Sequence, residues 1–152
     1  MSLLPTEKIS GIYETLIHQD TQQHHLHTDL TMAEIFNITS AGSLDFGGSE
    51  FEPAETELIN PEKKNPDDEY GWWKLDSGTY RAQFNEKAVL PEYKLGVLLP
   101  HQHTDQAGLI MNSRLIFRYE SSNGELQTTF HVPNSGTAIK ENARIASLFI
   151  LE

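Results

Sequence analysis

The stretch "GTYRAQFNEKAVLPEYKLGVLLP", residues 78–100, decides the fold class. Tyr80, Ala82 and Phe84 alternate with Arg81 and Gln83, the two-residue period of a strand with one face in a core and one in water. "KLGVLLP" is a second, apolar run that Pro100 terminates. Only a few residues around Pro91 lie between the two runs, too few for the helix that joins parallel neighbours. The reading is therefore all-β.

Working outward, "SRLIFRYESSNGELQTTFHV" (113–132) reads as a hairpin. Leu115, Phe117 and Tyr119 alternate on one arm, Leu126, Thr128, Phe130 and Val132 on the other, and Asn123-Gly124 supplies the turn. "RIASLFIL" (144–151) is apolar on both faces and predicts a strand buried on both. Upstream, "SAGSLDFGG" (40–48) ends a short strand, and "NPEKKNPDDEYG" (60–71), with two Asn-Pro pairs and dense charge, is a surface excursion. Adjacent Trp72 and Trp73 face opposite sides of a strand, so one is expected in the core and the other at the surface or an interface. Many short strands with little helix after residue 40 indicate a jelly roll or closed barrel.

The N-terminal part has a different character. "TEKISGIYETLIHQ" (6–19) places Ile9, Ile12, Tyr13, Leu16 and Ile17 on one helical stripe, with Thr6 as N-cap. "QDTQQHHLHTD" (19–29) reads as a polar loop in which His24, His25 and His27 are solvated, and Thr31 to Glu34 matches a capping box. The expected division is an N-terminal helical extension over 1–37 and a β domain over 38–152.

The chain's 152 residues suit one domain with a real core. There are 22 acidic against 11 basic residues, a formal net charge of −11, which opposes binding to nucleic acid or to an anionic membrane. No apolar run approaches the roughly 20 residues that span a bilayer, and the first residues lack the order of a secretory signal. Without cysteine there is no disulfide and no thiolate chemistry. The expected setting is the cytoplasm.

"HQH", residues 101–103, follows the proline that ends the second run. Two histidines there read as a metal pair, as a phosphate-binding loop or as a polar turn. Zinc needs about three or four protein ligands, and neighbouring sequence supplies no others.

The order of these pieces resembles the dUTPase and dCTP deaminase superfamily, especially its shorter archaeal-type members, over residues 38–152. The resemblance rests on "SAGSLDFGG", "GTYRAQFNEKAVLPEYKLGVLLP", the segment leading into "FHVPNSG", and the closing "NARIASLFILE". It implies a distorted jelly roll assembled as a homotrimer, with a deoxyribonucleoside triphosphate such as dUTP bound with magnesium between subunits.

Carried over residue by residue, the resemblance makes Asp45 in Ser43-Leu44-Asp45-Phe46 a catalytic position that helps hold a hydrated magnesium. The residue by itself reads equally as a turn aspartate bonding nearby N–H groups. His101, Gln102 and His103 stand where the family has an arginine and serines that grip the triphosphate. Arg144 and Ser147 stand in the last motif, the arginine kept and the serine replacing an amide. No aspartate occupies the third motif, and Thr129 or its neighbours stand near the deaminase glutamate position. Two functions follow as expectations: a diverged protein that binds or weakly hydrolyses such a nucleotide, or a non-catalytic trimeric scaffold. Fold does not choose between them.

Overall fold

A computed structural model describes residues 1–9, 13–117 and 123–152. In chain order the strands begin with β1 (Tyr13–Glu14), β2 (Thr28–Ile38), β3 (Thr56–Ile59), β4 (Trp72–Leu75) and β5 (Gly78–Ala88). They continue with β6 (Leu95–Pro100), β7 (Ile110–Met111), β8 (Arg114–Ile116), β9 (Glu125–Val132), β10 (Thr137–Lys140) and β11 (Arg144–Leu151). Two single-turn helices, α1 (Gln19–Gln22) and α2 (Gln102–Gln106), interrupt them.

Nine strands form one sheet in the order β7-β9-β5-β2-β11-β6-β8, with β1 along β5 and β3 along β2, while β4 and β10 pair separately. The sheet curls into a half barrel. Curling is local in origin. β2 pairs β11 over Thr28–Thr31 and turns to β5 from Met32 onward, with a register shift between Met32 and Glu34. Such a shift bends a strand and re-aims it. β5 carries another between Gln83 and Lys87.

The core fills the inside of this curl. Leu30, Met32 and Ile35 of β2 meet Ala82 and Phe84 of β5, Phe130 and Val132 of β9, Leu98 of β6 and Leu148 of β11, all at most 3% exposed. Gly96 on β6 is required by close approach, since a Cβ there would lie 3.2 Å from both Ile116 Cβ and Leu90 Cδ1.

Several expectations hold. β5 alternates buried and half-buried residues along its length, β11 lies buried between β2 and β6, and the 60–71 excursion is largely exposed. Trp73 is buried with its indole N–H donating to Ile59 O at 2.9 Å, and Trp72 is half-buried beneath Lys64, whose Nζ is 4.1 Å from the ring.

Others are corrected. The N-terminal helix is only a 3-10 turn at Thr6–Lys8 followed later by α1, because Thr15 at φ 65° breaks the stripe and Tyr13–Glu14 pairs with β5. Pro5, not Thr6, precedes that turn, and the Thr6 hydroxyl donates to His24 O. Ile12 lies outside the described residues. Thr31–Glu34 is strand, not a helical turn: pairing with β5 and β11 outweighs the local capping signal. β2 also runs through the expected boundary at residues 37 and 38, so residues 28–37 lie in the sheet.

Among the described residues of 113–132, the two arms do not pair with each other. β8 pairs β6, whereas β9 pairs β5 and β7. Ile116 is the buried residue of β8, while Leu115 and Phe117 are exposed, so the inward face is the opposite of the one expected. Tyr119 lies outside the described residues. The turn at Asn123-Gly124 does form: Gly124 has φ 77° and Asn123 Oδ1 accepts from Glu125 N–H at 3.1 Å.

Candidate functional site

A cavity of about 470 Å³ opens where β6, β11 and the start of β2 meet. Its wall includes Pro100, His101, Gln102 and His103 from the end of β6 and α2, and Arg144, Ser147 and Phe149 from β11. His24, His27 and Asp29 complete it from the N-terminal side.

His101 is held as the N-cap of α2. Its backbone N–H donates to Ile145 O at 3.0 Å, and its Nδ1 accepts from His103 N–H at 2.9 Å. Thr104, buried within α2, ties the turn to β11 through a 2.7 Å bond from its hydroxyl to Ile145 O. The cap fixes a tautomer. With Nδ1 accepting, a neutral imidazole must carry its proton on Nε2. His101 thus presents a fixed N–H donor to the cleft without needing positive charge.

Asp29 lies 1% exposed at the cleft floor. Arg144 donates to its Oδ2 at 3.1 Å, and His24 Nε2 is 2.9 Å from the same oxygen. His101 Nε2 stands 3.6 Å from Oδ2, beyond hydrogen-bond length. On Oδ1 the contacts are long: His27 Nε2 at 3.4 Å and Ser147 Oγ at 3.4 Å. Burial lowers the pKa of His27, opposed by Asp29 and reinforced by His24. Burial likewise lowers that of His101, opposed by Asp29 and reinforced by His103, Arg144 and His27.

A tight turn positions the first two histidines. His24 N–H donates to His27 O at 2.9 Å, and Gln23 bridges Thr28, so His24 and His27 face each other across two residues. Their rings stack at 4.6 Å. Asp29 follows His27 by two residues on extended chain and shares its face.

The cleft brings together His101, Gln102, His103, Arg144 and Ser147. Sequence reasoning missed Asp29, His24 and His27, taken for a solvated loop; the spacing His-x-x-His-x-Asp was the available signal. Only His25 of the three histidines stands outside the cleft. Asp45 is elsewhere: it is half-buried and accepts from Gly48 N–H and Glu50 N–H, each at 2.9 Å, the role of a turn aspartate. Magnesium takes carboxylate, water and phosphate oxygens. Asp45 does not line the cleft, and Asp29 within it is hemmed by imidazole and guanidinium nitrogens. Within one chain the residues of the cleft do not fit magnesium. Thr129, among the residues expected near the deaminase glutamate position, accepts from Arg81 at 3.2 Å.

The curled antiparallel sheet and the cleft at the junction of β6 and β11 define a dUTPase-like β protein. No protein-family model matches the chain. It is 28% identical, over 90% of its length and 76% of the relative's, to a probable deoxyuridine 5'-triphosphate nucleotidohydrolase of Methanococcoides burtonii. A protein of the same description from Methanosarcina mazei is 26% identical over the same shares. In fold it is similar to the 2'-deoxycytidine 5'-triphosphate deaminase of Agrobacterium tumefaciens, with a TM-score of 0.69 at 11% identity over 97% of this chain. The match covers 47% of that deaminase, so this chain spans about half its length. The two sequence relatives and the shared fold together support membership of the dUTPase and dCTP deaminase superfamily.

Proposed function

We propose that the cleft binds the phosphate chain of a deoxyribonucleoside triphosphate, dUTP foremost, and that turnover by this site is slow. The observation that carries this reading is the convergence of Arg144 and the Nε2–H of His101 on one cavity. A guanidinium and a fixed neutral donor suit phosphate oxygens, and Arg144 is partly exposed, so it can reach outward from Asp29. The homology to probable dUTP nucleotidohydrolases over nine-tenths of the chain supports dUTP over other nucleotides.

Slow turnover follows from chemistry. Water attack needs a base within reach, worth roughly 10²–10⁴-fold in rate. The carboxylate nearest the bound phosphates would be Asp29, already engaged by Arg144 and His24. Asp45 would contribute, with magnesium carried by the nucleotide, only from a neighbouring copy in the expected homotrimer.

The test is a thermal-shift panel of deoxyribonucleoside triphosphates with magnesium, joined to a product assay. Saturating dUTP should stabilise the protein by roughly 2.7 kcal/mol at a hundred times its dissociation constant. Arg144→Lys should weaken binding about tenfold or more. Absence of any shift across the panel would overturn nucleotide binding. Turnover near one per second that vanishes in Asp45→Asn would overturn slow turnover.

A further inference from the structure

The N-terminal turn brings together a set of atoms that phosphate binding does not use. His24 Nε2, His27 Nε2 and a carboxylate oxygen of Asp29 lie within 4.8 Å of one another. We propose that these three groups form a site for a zinc-class divalent ion, open to the cleft.

Geometry supports the assignment. Zinc binds imidazole nitrogen and carboxylate oxygen at about 2.0–2.1 Å, so neighbouring ligand atoms of a tetrahedral shell stand about 3.3 Å apart. His24 Nε2 to Oδ2 is 2.9 Å and His27 Nε2 to Oδ1 is 3.4 Å. The first of these distances runs to the oxygen that Arg144 holds, and the three ligand atoms lie within 4.8 Å of one another, so an ion at Oδ1 draws in a set that already stands close together.

Asp29 Oδ1 is the second observation. It belongs to a carboxylate buried to 1% exposure, yet among the described residues its side-chain contacts are the 3.4 Å approaches of His27 and Ser147. A buried charged oxygen with no short partner is costly. An ion at Oδ1 supplies that partner, while Arg144 stays on Oδ2 and fixes the plane of the carboxylate.

Tautomers then sort His24, His27 and His101. A metal-binding nitrogen must be unprotonated, which moves the imidazole proton to the other nitrogen. Among the described residues nothing bonds Nδ1 of His24 or His27, and both rings are partly exposed, so that proton can face water. His101 cannot make the exchange, because its Nδ1 already accepts from His103 N–H. It is a donor beside the ion, not a ligand. Three protein ligands and an open position facing a cavity are the pattern of reactive rather than structural zinc sites.

The inference stands apart from nucleotide binding, because zinc is titrated with no nucleotide present. Untagged protein stripped of metal is titrated with Zn²⁺ by calorimetry, and the zinc retained after desalting is measured. We expect about one zinc per chain, weakened at least tenfold by His24→Ala and by His27→Ala, and unchanged by His25→Ala. Affinity should fall at pH 5.5, where imidazoles compete for protons. In the wild-type protein, zinc should move the imidazole resonances of His24 and His27 and leave those of His25 in place, a readout that needs no variant to fold. Failure to bind zinc at tens of micromolar overturns the site. So does binding that survives the His24→Ala/His27→Ala double variant, or zinc-induced shifts confined to other histidines.

Discussion

Glu86 and Asp29 are both fully buried carboxylates, and their neighbours make them opposites. Asp29 faces cationic or imidazole groups, whereas Glu86 accepts from neutral donors: Thr31 N–H and hydroxyl at 2.6 Å each, and the Gln22 amide at 3.0 Å. Gln22 cannot turn over, since its Oε1 is held by Ile17 and His18 N–H at 2.7 and 2.8 Å. Glu86→Gln would set one amide NH₂ against another, and should cost about 1–3 kcal/mol in urea unfolding at neutral pH. Burial pushes the Glu86 pKa above its ordinary 4.5, more than its hydrogen bonds pull it down. The native state then holds this proton more tightly than the unfolded one, so its contribution is fully present below about pH 4.5 and is lost as pH rises through the native value. His27 and His101 run the other way. Their native pKa values lie below 6.5, so the stability they lend is present above that pH and is lost as pH falls through the native values. Imidazole NMR titrations should find both midpoints below 6.5.

Among the elements, β5, β6 and β11 are legible because their own residues carry the signal: strict alternation in one, uninterrupted apolar runs in the others. β2 is not, because its strand character comes from β5 and β11, neighbours distant in sequence, and locally it imitates a helix start. The arms around Asn123-Gly124 are each recognisable as strands, yet a turn signal cannot say that β8 will leave for β6 while β9 stays with β5. The same limit applies to the cleft. His101, His103 and Arg144 could be found by the order of motifs, but Asp29 required knowing that a two-residue turn folds His24 back over His27. The reversed face of β8 gives a direct check. Ile116→Ala should cost about 2–5 kcal/mol as a core truncation, while Leu115→Ala should stay within about 0.5 kcal/mol in dilute monomer, measured by denaturant unfolding. Equal costs would restore the alternation first read from the sequence.

At the scale of the whole molecule, no helix among the described residues is long and apolar enough to cross a membrane. The outer surface nevertheless carries large apolar side chains: Leu44, Phe46 and Phe51 around the Asp45 turn, and Leu99, Leu115 and Phe117 on the β6–β8 side. Grouped exposure of this kind marks association surfaces. Sedimentation at micromolar concentration should give about three times the 17.2 kDa chain mass, and a monomer would count against the homotrimer. One further property follows from where β11 lies. Residues 144–151 are late in the chain but central in the sheet, between β2 and β6, and they carry the arginine that neutralises Asp29, 115 positions earlier. A ribosome adding about 5–20 residues per second reaches them roughly 5–25 seconds after finishing β2. Until β11 follows, the nascent sheet is missing its middle: β2 lacks that neighbour throughout, β6 lacks it from the moment it is made, and Asp29 is without its cation. The emerging polypeptide must therefore be shielded from wrong strand partners until β11 is made.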